Sequence, residues 1–282
     1  MVLLPPPSMK KIYIERVGDV AIWHDKAKRL HALAKNFPNP NYEILDSPES
    51  AELIISVLNK GEALFQLPYD PRRRLFSTAD KPFPFFPALC PSITKDNYHE
   101  EYSRSAPYLP DDWSNLNIVS PAESSHLFSF IGSSLTSKIR VEVLNLEHKK
   151  ALLIDSSSHP AYNPNQGAAV YTNFKIKYIY EILNSKFVLC PRGVGVSSIR
   201  LFETMRLGRV PVIISDEWVS PEGPKWNDFV IRIPENQLNK IPGILEERED
   251  ESYEMGLLAK REWETYFSEE NIVGWIINQC EE

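Results

Sequence analysis

Along the chain the spacing of apolar residues alternates between the two-residue period of strands and the three-to-four-residue period of helices. Residues 11–15 (Lys-Ile-Tyr-Ile-Glu) alternate as a first strand does, and Ala27, Leu30, Leu33 and Ala34 predict a helix over 25–36. Short apolar segments at 43–45, 51–57 and 63–67 predict further strands. Over 68–121 periodicity gives way to proline and aromatic residues, with Lys81-Pro82-Phe83-Pro84-Phe85-Phe86-Pro87 the densest stretch. Proline removes a backbone donor and restricts its neighbour, so ordered loops are expected there. Regular alternation returns from Leu127. Strands at 127–132, 151–154, 186–190, 210–214 and 229–233 interleave with helices at 136–147, 173–184 and 197–207, and three more helices begin near Leu238, Ser252 and Glu269. Strand–helix alternation predicts an α/β fold with parallel sheets. The change of pattern near 120–125 divides the chain into a disordered N-terminus (1–9), a compact N-terminal lobe (10–122), a second lobe (123–268) and a final helix (269–282) able to cross back onto the first lobe.

Composition narrows the function classes. With 282 residues and 43% hydrophobic content the chain can bury a sizeable core. A net charge of −7 provides no global basic field for a nucleic-acid backbone, so any phosphate must be held by a few local arginines and backbone amides. Cys90, Cys190 and Cys280 stand apart, without the spacing of a metal cluster or a disulfide framework. Neither a signal-peptide pattern nor a membrane-length apolar run is found, and a cytoplasmic location is expected.

The most informative stretch follows the 186–190 strand. Pro191-Arg192-Gly193-Val194-Gly195-Val196-Ser197-Ser198 is a glycine-rich turn that opens a helix. In parallel sheets ligands sit beyond the carboxyl ends of the strands. Glycines admit close approach, helix-start amides attract phosphate, and Arg192 adds a permanently charged fork for a diphosphate. On the helix Arg200, Glu203 and Arg206 recur every third residue and share a face. They read either as ligand groups, with Glu203 accepting from ribose hydroxyls and Arg200 reaching phosphate, or as a solvated ion-pair row. Gly193-x-Gly195-x-x-Ser198, with Asp216 after the next strand, also approximates a dinucleotide fingerprint, although a serine stands where its third glycine belongs.

Lys186-Phe187-Val188-Leu189-Cys190-Pro191-Arg192-Gly193, then Ser198-x-Arg200-Leu201-Phe202-Glu203, then Pro211-Val212-Ile213-Ile214-Ser215-Asp216-x-Trp218 resembles the exostosin family of glycosyltransferases. Phe128 to Gly132 with Ile139-Arg140, and more loosely Leu75-Phe76 to Asp80, are similar as well. The resemblance implies a GT-B-like fold of two Rossmann-like lobes facing a cleft, and transfer of a sugar from a nucleotide-sugar donor, commonly a UDP-sugar, with inversion. By position it implies Arg192, Gly193, Ser198, Arg200 and Glu203 as donor-site residues. Ser197 and Asp216 join them from their places at the helix start and strand end. The acceptor would be a glycan or glycoconjugate in polysaccharide assembly.

Inverting transfer needs a base for the acceptor hydroxyl and positive charge or amides on the departing diphosphate. No Asp-x-Asp follows a strand, so leaving-group stabilisation without metal, and no further cofactor, is expected. Asp80 is the candidate base, beside Phe83, Phe85 and Phe86, although an Asp before Lys81-Pro82 is more often one that opens a turn. His24, His126 and His159 are rivals, and Asp216 could instead cap the next segment. Arg72-Arg73-Arg74 reads as a solvated turn more readily than as an anion site. Trp218 and Trp226 read as loop packing or a stacking surface, and Trp263, Tyr266, Phe267 and Trp275 as core. Two other readings remain: a non-catalytic nucleotide- or glycan-binding protein of the same fold, and an NAD-dependent Rossmann oxidoreductase.

Overall fold

The computed structural model describes residues 9–17, 26–58, 67–77, 87–160 and 168–281. Residues 1–8 of the N-terminus expected to be disordered (1–9), most of the 63–67 strand, His24 and Asp80 lie outside them. Two compact units are present. One comprises Met1–Leu109, Val219–Glu222 and Tyr266–Glu282, and the other Pro110–Trp218 and Gly223–Thr265.

In the first unit β1 (Lys10–Val17), α1 (Lys26–Asn36), β2 (Tyr42–Leu45), β3 (Leu53–Leu58), β4 (Arg73–Ser77), β5 (Ala88–Cys90) and β6 (Ser103–Ser105) follow one another. The six strands form one sheet in the order β2-β1-β3-β4-β5-β6, and every pairing is parallel. Leu-Ile-Ile-Ser-Val-Leu in β3 is buried at all six positions, as expected of a strand covered on both faces. Its one polar residue, Ser56, donates to Glu15 Oε1 (2.5 Å) and accepts from Arg73 Nε (3.0 Å). The C-terminal helix Ile272–Glu281 packs in this unit, and Arg74 Nε donates to the carbonyl of Cys280 (3.1 Å).

Two readings of the 68–121 stretch are corrected here. It contributes three strands of the sheet, each five residues or fewer, too short for a period to show. The arginine run is not a solvated turn either. Arg73 and Arg74 lie in β4. Arg72 is held by Asp70 and by the carbonyls of Pro48 and Ala51, and Arg73 is held by Glu15.

The second unit contains β7 (His126–Gly132), α2 (Lys138–Leu144), β8 (Ala151–Asp155), α3 (Ala168–Leu183), β9 (Ser185–Pro191), α4 (Ile199–Arg206), β10 (Val210–Ile214), β11 (Ile231–Arg232), α5 (Ile241–Glu247) and nearly all of α6 (Ser252–Tyr266). Its five strands are parallel in the order β11-β10-β9-β7-β8. Phe128 and Phe187 pair across β7 and β9 in a core that includes Phe130, Leu189, Val210, Val212, Ile214, Ile241 and Leu245. A 3-10 turn, Ser134–Thr136, precedes α2, so that helix is shorter than the 136–147 pattern suggests.

The division between units falls after Leu109, earlier than the 120–125 pattern change. Side-chain contacts on the following residues explain this. Arg206 Nη1 donates to the Asp111 carbonyl (2.8 Å), and its guanidinium lies 4.0 Å from the Trp113 ring and 5.1 Å from that of Trp263. Lys175 Nζ reaches Asp111 Oδ2 at 3.3 Å. Residues 110–113 are thereby fastened to α3 and α4 by cation–π and ionic contacts. Val219–Glu222 belongs to the first unit, where Val219 N donates to the Ile93 carbonyl (3.2 Å) and Ser105 Oγ to the Val219 carbonyl (2.6 Å).

Candidate functional site

The second sheet begins at β7 and extends to β8 on one side and to β9, β10 and β11 on the other. Strand order therefore reverses between β7 and β9. Connections leaving these two strands pass to opposite faces and open a crevice at their carboxyl ends, where ligands of doubly wound folds bind. The turn after β7 and the Arg192–Ser198 loop after β9 border it.

Main-chain and guanidinium contacts fix the β9 loop. Arg192 N donates to the Ile214 carbonyl (3.0 Å) and Gly193 N to the Gly195 carbonyl (3.1 Å). From α2, Arg140 donates through Nε to the Arg192 carbonyl (3.1 Å), through Nη2 to that of Pro191 (3.4 Å) and through Nη1 to that of Ser133 (3.4 Å). A Cβ on Gly193 would stand 3.0 Å from Arg140 Nη2. Gly193 is thus small on that side to admit Arg140, a role the sequence reading had given to an approaching ligand.

Helix α4 is buried continuously from Arg200 to Met205, which overturns the solvated ion-pair row. Arg200 Nη2 donates to the Ile131 carbonyl at the end of β7, and the guanidinium lies 4.5 Å from the Phe130 ring. A Cβ on Gly132 would be 2.7 Å from that same nitrogen. Arg200 therefore lies across the switch point, with its Nε buried and unpaired. Glu203 accepts from Lys175 Nζ (2.5 Å) through Oε1 and from the Tyr178 hydroxyl (2.6 Å) through Oε2. Burial works against the Lys175 charge, but the Glu203 and Asp111 carboxylates outweigh it and raise its pKa. Burial, then Glu203, raises the Tyr178 phenol, and burial pushes the Cys190 thiol up to about 12.

Ser197 and Ser198 are both buried at the start of α4. The hydroxyls of Ser198, of Ser215 after β10 and of Ser156 after β8 have no hydrogen-bond partner. A buried hydroxyl without a partner costs about 1–3 kcal/mol. Three of them beyond the carboxyl ends of three strands mark the face where a polar ligand would offset that cost.

At the β10 end Asp216 and Glu235 form a reciprocal pair. Asp216 N donates to Glu235 Oε1 (3.3 Å), and Glu235 N donates to Asp216 Oδ1 (3.1 Å). Arg192 Nε donates to the same Glu235 oxygen at 2.8 Å. The structure thus brings Arg192 and Asp216 together through Glu235, which the sequence reading missed. It also missed Lys175 and Tyr178. Glu235 carried a usable signal: it is the first carboxylate after a strand end, a ligand-facing place.

Of the rival histidines, the described residues include His126 and His159, the second of which follows β8. His126 begins β7, at the opposite end of the strand, and pairs with Glu181 (3.5 Å). The His159 ring packs on Phe174 (4.3 Å between centroids). Trp218 and Trp226 are buried against each other (5.7 Å, edge-on), Trp226 also meets Phe229, and Trp263 and Trp275 are buried as expected. Among the described residues no helix is long and apolar enough to cross a membrane.

An α/β architecture with two parallel sheets is the fold of the GT-B glycosyltransferases. Anabaena Alr3699/HepE, solved in complex with UDP and glucose, superposes with a TM-score of 0.51 at 12% identity over 97% of this chain and 99% of that one. An alpha1,3-fucosyltransferase superposes at 0.50 with 14% identity over 99% and 92%. Within that class the particular family is defined by sequence: residues 73–248 match the exostosin GT47 domain, and the chain belongs to that family. Its Caenorhabditis elegans relative, "Exostosin-1 homolog", is 44% identical over 71 residues, 24% of this chain and 19% of that one. The "Probable glucuronoxylan glucuronosyltransferase IRX7" of Arabidopsis thaliana is 41% identical over 71 residues, 24% and 16%. The stretch of the chain that matches thus spans less than a fifth of the length of these relatives. A dinucleotide fingerprint belongs after the first strand of its sheet, whereas the glycine loop here follows the third, β9. That placement removes the footing of the NAD reading.

Proposed function

We propose that the protein is a glycosyltransferase that binds a UDP-sugar at the β7/β9 crevice and passes the sugar, with inversion, to a hydroxyl of a glycan or glycoconjugate. The observation that carries this reading is the Arg192–Ser198 loop at the switch point, with the Arg140 guanidinium bonded to the Arg192 carbonyl, the Arg200 guanidinium at the end of β7 and the Ser198 hydroxyl buried and unpaired. In the transfer the acceptor oxygen attacks the anomeric carbon from the face opposite the diphosphate. A base takes the hydroxyl proton, and the bond from that carbon to the phosphate oxygen breaks, its electron pair leaving with UDP. Arg192 and the amides of the loop receive the charge on the departing diphosphate without a metal ion. Glu203, held rigid by Lys175 and Tyr178, accepts from the ribose hydroxyls with its remaining lone pairs. Asp80 is the proposed base; Asp80→Asn should abolish transfer and keep donor binding, and retained turnover would clear it of the role.

Calorimetric titration with UDP, GDP and NAD tests the ligand class. UDP binding is expected to be lost by about 10–100-fold in Arg192→Ala, the worth of one or two hydrogen bonds to a charged group. Binding of NAD with neither UDP nor GDP would overturn the reading.

A further inference from the structure

We propose that Glu235 is a positioning residue for the donor diphosphate: through Arg192 Nε it fixes the guanidinium that grips the two phosphates. The inference rests on the donor site proposed above. Glu235 opens the 3-10 turn after β11, and the bond from Ile233 N to the Ile213 carbonyl (3.0 Å) carries the sheet ladder up to it. Its Oε1 takes two donors, Arg192 Nε at 2.8 Å and Asp216 N at 3.3 Å, while its own N–H is taken by the Asp216 carboxylate. One side chain therefore ties together the loops that leave β9, β10 and β11.

Arg192 is set at both ends. Its backbone is pinned by Ile214 and Arg140, and its side chain, about a third exposed, by Glu235. An arginine free in solvent would lose rotamer freedom on gripping a ligand. One already held loses less, and the difference appears as affinity. The contact to Glu235 uses Nε and leaves the chemistry of both terminal nitrogens for phosphate oxygens. A neighbouring carboxylate also offsets the arginine's charge, an effect of opposite sign. Sharing of the Glu235 oxygen with the Asp216 N–H moderates it, and the experiment measures the balance.

The test uses the whole chain, with titration of UDP and saturation-transfer NMR of uridine, which lacks the phosphates. Glu235→Ala and Arg192→Ala are each expected to weaken UDP at least fivefold. The double variant should be no weaker than Arg192→Ala alone, because Glu235 acts through that residue. Uridine binding should be unchanged in all three. Glu235→Gln, which keeps an acceptor oxygen for Arg192 and Asp216, should stay within about threefold of the parent. Glu235→Asp, one methylene short of both donors, should behave like Glu235→Ala and serves in its place should the alanine variant fold poorly. Unchanged or tighter UDP binding in Glu235→Ala and Glu235→Asp, alongside a loss in Arg192→Ala, would overturn the inference and leave the donor site standing. So would losses that add in the double variant. Absence of UDP binding by the parent chain would overturn the donor site itself, and this inference with it.

Discussion

Replacing Lys175 with methionine tests the buried charge cluster beneath the crevice. Methionine keeps most of the aliphatic stem that packs near Trp113 and Tyr178, whose rings lie 5.4 and 5.3 Å from the ammonium, so little apolar burial is lost. What disappears is the cation between Glu203 Oε1 at 2.5 Å and Asp111 Oδ2 at 3.3 Å. The Lys175 and Glu203 side chains are only 12% and 10% exposed, so water screens little of the loss. Breaking a buried pair at one partner costs about 3–5 kcal/mol. At roughly 2–4 °C per kcal/mol for a domain of this size, the melting midpoint should fall by on the order of 10 °C. The diagnostic step is a second substitution. Glu203→Gln in the Lys175→Met background removes the stranded charge and keeps an acceptor for the Tyr178 hydroxyl, and it should restore about 2 kcal/mol. Urea unfolding of the parent, both single variants and the double variant supplies the cycle. A Lys175→Met chain within about 1 kcal/mol of the parent, or no recovery on adding Glu203→Gln, would refute the claim that this ammonium compensates Glu203.

Other consequences are measurable on the same preparation. Gly132→Ala drives a methyl to within 2.7 Å of the Arg200 guanidinium and 2.8 Å of the Phe130 ring, and should cost about 1–3 kcal/mol in urea unfolding. The Ser134 and then the Ser157 hydrogen bonds hold the Asp155 carboxyl well below the usual carboxylate range. A depressed folded pKa gives stability that is present above the unfolded value of about 3.9 and is lost as pH falls below it. Asp155→Asn should therefore be less stable than the parent at pH 6, with the gap narrowing as thermal midpoints are followed from pH 5 to pH 3. Burial pushes the Cys190 and Cys280 thiols up to about 12, so both should resist an aromatic disulfide reagent at pH 8 and react once urea exposes them.

Legibility in the sequence followed burial and chain separation. Strands β7, β9 and β10 run on apolar residues buried nearly throughout, and 127–132, 151–154, 186–190 and 210–214 all fall within a residue or two of β7 to β10. By contrast Ser103-Arg104-Ser105 has no apolar residue; it is a strand because Ala88, Leu89 and Cys90 pair with it. At the site the loop and the helix were visible as a motif, while the partners that decide what each residue does were not. Glu203 meets Tyr178 and Lys175 across 25 and 28 residues, Arg192 meets Glu235 across 43, and Arg140 meets the Arg192 carbonyl across 52. Contacts at such separations leave no local period, so the Arg200-Glu203-Arg206 spacing left ligand groups and a solvated row equally open, although each member meets different partners.

Two of the crevice glycines, Gly132 and Gly193, carry an evolutionary consequence. Gly132 makes room for Arg200 and Gly193 for Arg140, so each glycine is one half of a lock whose other half lies on a different helix. Homologues should inherit or lose these halves together: a chain with alanine at the first position ought also to carry a shorter residue in place of Arg200, and a side chain at the second ought to accompany loss of Arg140.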